Sequence, residues 1–327
     1  MKQHVFVVFL VAAALALSGA VLLRPWSRAP RTAPTAPLAV IPAGAAFVGQ
    51  VDLARLRKTA AGTQLFSRAL QSFATPSSTA QFQPLRDVDE IVLAVAGDAR
   101  VARSGAAPFE PNAVAVVAAG RFRGKAAADA AVEHIRARGG EPVRTRLGSF
   151  ESVRDLRASG EVAARDGLVV LSDGAYFRAV LAAAEGQRTE GSEVDRTRDR
   201  VHVELRRTFG KGAPVIATVT LPEGSLEAAL GGDSEIRRSP LALVRSAALR
   251  VNVGDTLDVD ALFVCESKDD CSGVAKFLVE AKSDLEGAFG ATTLLRGFRR
   301  IGEQTGPRVE LSLSLSPQEL NAFLEGD

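Results

Sequence analysis

Few residues in this chain are of types that do chemistry. Two cysteines, Cys265 and Cys271, stand at i and i+6. A redox pair wants C-x-x-C, and a zinc site wants further Cys or His ligands at short spacing. Neither is present. Cys265 closes a segment of strand-like alternation (Leu257, Val259, Ala261, Phe263), and Ser267-Lys268-Asp269-Asp270 then gives a capping pattern for a helix that holds Cys271 in its first turns. A strand end and the next helix start approach within disulfide range, so a structural Cys265–Cys271 bond is expected. Such a bond points to an oxidising compartment.

Asp258 and Asp260 share one face of the same strand. Paired carboxylates can work as acid and base. Acids on the wet face of an amphipathic strand are far commoner, and that reading is preferred. Gly120-Arg121-Phe122-Arg123-Gly124-Lys125 comes nearest to a phosphate loop. It lacks the spacing and the Ser/Thr after the lysine, and reads as a strand-to-helix turn. His134 falls in a helical pattern and His202 in a charged connector, without an acid–nucleophile partnership. There is no G-x-S-x-G, H-E-x-x-H, Walker loop or G-x-G-x-x-G. No catalytic, cofactor-binding or metal-ligating residue is therefore assigned, and no cofactor is expected.

The elements that would position any site come in three parts. Val5–Leu23 is a charge-free run of 19 residues behind Lys2. As a helix it would measure about 28 Å, close to the hydrocarbon thickness of a bilayer. It reads as an uncleaved signal anchor; a signal peptide cleaved after Ser18-Gly19-Ala20 is the alternative. Arg24, Arg28 and Arg31 follow the run, and counting charges alone would keep the following chain in the cytoplasm. The signal-like position and the cysteine pair argue for export. The expectation is a single-pass protein of a bacterial inner membrane with its C-terminal part periplasmic, or a secreted protein after cleavage. Residues 24–40 are a Pro-rich tether.

The rest of the 327 residues are 46% hydrophobic over the whole chain, enough for one large or two small packed domains. A net charge of +2 gives no nucleic-acid footprint. The chain resembles itself. Gly44–Leu53 aligns without a gap to Gly212–Leu221, and Ile91–Asp98 parallels Ala248–Asp255, both ending in Gly-Asp. Strands follow each at 113–122 and 257–265, then helices at 125–138 and from Asp269 to about Glu303. The shared order is strand, helix, strand, strand, helix, strand. It predicts α+β architecture with two tandem ferredoxin-like (split βαβ) repeats and mostly antiparallel sheets, over 41–190 and 191–327. The first copy carries additional extended sequence at 142–153 and 162–171. Residues 198–209 lean to helix.

With its opening Ile41-Pro42-Ala43-Gly44 and its duplicated order, the exported region resembles uncharacterised membrane-anchored α+β proteins of bacterial envelopes. That resemblance brings no activity or site residues with it. The function expected is a non-catalytic envelope protein that binds a protein or other ligand. A periplasmic hydrolase with a dispersed carboxylate site, or an envelope assembly factor, are the alternatives. The partners expected are the membrane, through residues 5–23, and an envelope protein.

Overall fold

The structure, a computed structural model, describes residues 36–59, 62–63, 82–96, 114–157, 160–172, 174–187, 191–210, 212–220, 240–254, 256–289, 298–303 and 306–319. The apolar run at 5–23 and most of the tether lie outside these. No helix among the described residues is long and apolar enough to cross a membrane. Pro37–Val40 forms a 3-10 turn with Pro37 and Val40 buried.

Among the described residues twelve strands pair into one sheet: β1 Ala45–Asp52, β2 Val88–Ala96, β3 Val114–Gly120, β4 Pro142–Leu147, β5 Phe150–Asp155, β6 Glu161–Arg165, β7 Leu168–Ser172, β8 Val215–Thr220, β9 Val244–Val253, β10 Leu257–Cys265, β11 Phe298–Glu303 and β12 Arg308–Leu315. The order across the sheet is β11-β12-β10-β9-β8-β1-β2-β3-β7-β6-β5-β4, and every pairing is antiparallel. The helices are α1 Leu53–Leu56, α2 Pro84–Asp87, α3 Gly124–Ala137, α4 Gly174–Ala184, α5 Glu193–Thr208 and α6 Lys268–Phe289.

This corrects the expectation of two tandem ferredoxin-like repeats, although α+β holds in the broad sense. A split βαβ plait sends a helical crossover between strands that are not neighbours. Here β1, β2 and β3 are successive antiparallel neighbours, as are β8, β9 and β10. Strand alternation fixes which side chains share a face, but it does not say which strands sit side by side. The helix expected from Asp269 to about Glu303 ends at Phe289, and its last part is instead the edge strand β11. The extended sequence at 142–153 and 162–171 makes two hairpins, β4–β5 and β6–β7.

The two halves of the sheet meet at one seam, β1 against β8. Gly49 pairs there with Ala217, and Val51 with Val215. Gly49 and Ala217 are also equivalent positions in the sequence alignment, at an offset of 217 − 49 = 168. The register thus relates β1–β2–β3 to β8–β9–β10 by an approximate twofold axis through the middle of the seam. The ladders also shift the second sequence parallel by one residue. Gly49 pairs with Leu93, and its equivalent Ala217 with Leu249, so Ile91 corresponds to Ala247 and not to Ala248.

Because the side-chain period along a strand is two, the ladder registers define two faces. On one face α3 packs Ala127, Ala128 and Val132 against Val153 and Ala164, while α6 packs Val274 and Ala275 against Ala247, Ala261 and Phe263. On the other, α4 packs Phe177, Val180 and Leu181 against Ala115, Val117 and Val170, and α5 packs Leu205 and Phe209 against Ala248 and Leu262.

Candidate functional site

The sequence-derived residues scatter. Cys265 and Cys271 are joined, with Cα atoms 5.6 Å apart, and both are buried in the cluster under α6. Ser267 caps this helix as its spacing suggested: its Oγ accepts from Asp270 N at 3.1 Å, and the Asp270 carboxylate accepts from Ser267 N. The bond pins the α6 start to the end of β10.

Asp258 and Asp260 do lie on one face, but each has a structural employment. Asp258 accepts from Ser314 Oγ at 2.6 Å and from Thr256 Oγ1 at 2.9 Å. Asp260 accepts from Arg250 Nε at 2.8 Å; the same guanidinium donates to Phe209 O at 3.0 Å and lies 4.7 Å over the Phe209 ring. This carboxylate therefore orients an arginine that fastens the α5 C-terminus. The glycine-flanked run at 120–125 is a turn into α3, where Gly124 N donates to Asp166 Oδ1 at 2.8 Å. His134 is exposed on α3. Among the described residues no group of three or more His, Cys, Asp or Glu side chains is placed to hold a metal ion.

Two features stand out. The first is a buried polar layer between α5 and the seam. Arg198, His202 and Arg206, four residues apart, lie on one face of α5 and reach successive points of β1. Arg198 Nη1 donates to Gly44 O at 3.4 Å. His202 Nε2 lies 2.8 Å from Ala45 O, and its Nδ1 lies 2.7 Å from Thr218 Oγ1 on β8. Arg206 donates through both terminal nitrogens to Gln50 Oε1 at 2.9 and 2.8 Å. Gln50 Nε2 in turn donates to Glu90 Oε1 at 2.5 Å on β2. Asp199 closes the upper end by accepting from Gly44 N at 3.0 Å. Gly44 sits at φ +83°, where a side chain is strained and would also strike Asp195.

Burial sets the electrostatics of this layer. It lowers the His202 pKa, holding the ring neutral, and pulls the Arg206 guanidinium down to about 10. It raises the Glu90 carboxyl, although the Gln50 hydrogen bond opposes this. Arg206 Nε is buried without a hydrogen-bond partner. Outside the layer, Glu193, Arg196, Asp199 and Arg200 line a shallow depression of about 370 Å³. Arg200 and Arg196 are engaged there by Glu193 at 3.0 and 3.5 Å. The sequence reading left His202 in a charged connector. The available signal was the four-residue spacing of Arg198, His202 and Arg206, in step with Leu205 and Phe209 one position away.

The second feature is the opposite face of the same strands. Among the described residues α3 lies over β4–β7 and α6 over β9–β12. Between them Leu53 and Leu56 of α1 and Phe82 cover one end of the face, burying Val51, Ile91 and Val215, and the rest of β3, β2, β1 and β8 forms a floor about 19 Å across at ordinary strand spacing. Val116, Leu93, Phe47, Ala217 and Val219 are half-buried on it, Val219 at the margin against the cluster under α6. Side chains on the central part of this face are apolar, and the twofold axis passes through it at Gly49 and Ala217. Its strands are paired on both sides, so their backbone groups are already committed. The floor can bury apolar surface but cannot accept another strand.

No protein-family model and no curated protein matches the chain. A solved structure titled "Structure of crystal form I of TP0453" is similar over 89% of this chain and 97% of that chain, at 12% identity and a TM-score of 0.46. A likeness of that size assigns neither activity nor ligand.

Proposed function

We propose that this is a non-catalytic protein of the bacterial cell envelope that binds a helical segment of a partner protein in the apolar trough between α3 and α6. The supporting observation is the floor itself: half-exposed apolar side chains on fully paired central strands, flanked by two helices of the same layer. A sheet face partly covered by helices is completed by a further helix with an apolar stripe, which brings its own backbone hydrogen bonds. The apolar run at residues 5–23, read as a signal anchor, and the joined cysteines support an exported location.

The test is photo-crosslinking in cells from Phe47 and Ala217, with Val203 on the outer side of α5 as control. Val203 is 65% exposed. The reading expects adducts from the two trough sites and none from Val203. The captured peptide should map to an apolar-striped helix, and Leu93→Asp should abolish the adduct. Crosslinks confined to this chain's own residues 64–81 or 221–239 would show that the floor belongs to its own core and would overturn the proposal. Protease protection of a C-terminal tag in spheroplasts tests the location separately.

A further inference from the structure

The layer beneath α5 is an unusual way to hold a seam together. Helix faces that pack on a sheet are ordinarily apolar. Here Arg198 and His202 are only 8% and 5% exposed, and polar bonds to β1 replace much of the apolar contact. Both ring nitrogens of His202 are committed. Ala45 O can only accept, so Nε2 carries the hydrogen. Nδ1 is then the acceptor, and the Thr218 hydroxyl donates to it. This arrangement suits the neutral ring. A second proton on Nδ1 would be accepted by Thr218 Oγ1, whose own hydrogen goes to Val48 O, 3.3 Å away, so the cost of charging lies in burial and in the surrounding charges. That proton would set a third positive charge between Arg198 and Arg206, each one helical turn away.

The other charged groups near the ring offset that charge only in part. Asp199 favours it, while Arg206 and Arg198 oppose it; one Asp199 oxygen also accepts from Gly44 N. Asp195 lies 3.8 Å from Arg198 and caps the helix through Ser192. Tyr176 of α4 faces Asp199 and is uncharged at neutral pH. From β1 and β8 the ring meets only Ala45 O and Thr218, and Glu90 on β2 is reached through Gln50 and Arg206.

We infer that α5 is an acid-released latch: protonation of His202 detaches the helix from the β1–β8 seam while the sheet stays folded. The sign follows from linkage. The ring is less basic in the closed layer than in water, so the latch is fully closed above the ordinary histidine pKa, about 6.5, and weakens as pH falls toward the lowered closed-state value. Within that window each pH unit multiplies the open fraction by about ten. Glu90 acts oppositely, because its raised pKa means that protonation there favours the closed layer. Glu90→Gln removes this compensation and leaves the His202 response in place.

The experiment is hydrogen exchange with mass spectrometry on the full chain, from pH 7.5 to 5, corrected for intrinsic exchange. Amides of α5 should lose protection by about tenfold per unit below pH 6.5 while those of β3 and β7 hold. His202→Gln, which keeps a donor for Ala45 O but does not titrate, should flatten the response. If that variant does not fold, an NMR titration of the wild-type imidazole decides: its charging must coincide with the loss of α5 protection. Protection unchanged to pH 5, loss shared equally by every strand, an undiminished response in a folded His202→Gln, or imidazole charging uncoupled from α5 overturns the latch.

Discussion

Thr218→Val replaces one buried hydroxyl with a methyl of nearly the same shape. Thr218 is 1% exposed, and its Oγ1 lies 2.7 Å from His202 Nδ1. The substitution leaves that nitrogen, on a side chain 5% exposed, without a donor and beyond the reach of solvent. An unsatisfied buried acceptor costs about 1–3 kcal/mol, and the added methyl returns a fraction of this. The net loss at pH 7.5 should be about 1–2 kcal/mol. Equilibrium urea unfolding should show the midpoint falling by about 0.5 M with the slope unchanged. His202→Leu removes the orphaned nitrogen, so the double variant should lose less than the sum of the singles, by about 1 kcal/mol. A single-variant change below 0.5 kcal/mol, or strict additivity, would refute the assignment of Thr218 as the donor to a neutral His202.

Further outcomes follow from other contacts. Reducing the Cys265–Cys271 bond, which closes a loop with a sequence separation of 6, should destabilise the fold by about 2 kcal/mol and lower Tm by about 4–8 °C, read by calorimetry with and without reductant. Gly120→Ala places a Cβ 2.0 Å from Asp87 O, a backbone atom, and should cost more than about 2 kcal/mol or prevent soluble expression. Asp260→Asn weakens the hold on Arg250, and with it the bond to Phe209 O; faster hydrogen exchange at the α5 C-terminus, without change at β3, is the expected result.

Much of the element inventory was legible from residues, while pairing was not. The Cys265–Cys271 spacing and the Ser267 cap showed the disulfide geometry because both are local. The helix at 193–208 was half visible, as a lean to helix over 198–209 against the strand-like alternation of Val201, Val203 and Leu205. Its buried Arg198 and His202 were not, since charged residues on a helix ordinarily face water; what keeps these inside is β1 carbonyls contributed from about 155 residues away. The sheet order failed for a related reason: β1 beside β8 is a long-range choice that alternation in either strand leaves open. The one-residue slip between Ile91 and Ala248 came from matching two Gly-Asp dipeptides, whereas the ladders align Leu93 with Leu249. The trough could not be read at all, because an apolar strand face looks the same whether or not a helix lies on it.

The seam also bears on the path by which the chain folds. Its partners are separated by about 170 residues, such as Val48 and Thr218, whereas β1–β2–β3 and β8–β9–β10 are built from closer contacts. Loop-closure entropy makes the seam a late event. Until it closes, each half presents a bare strand edge of matching register, β1 on one and β8 on the other. The approximate twofold then works against the chain, since β1 of one molecule can meet β1 of another about the same Gly49 centre. Intermolecular pairing at that edge is the misassembly this architecture invites, and α5, which immediately precedes β8 and grips β1, shortens the interval in which it can occur.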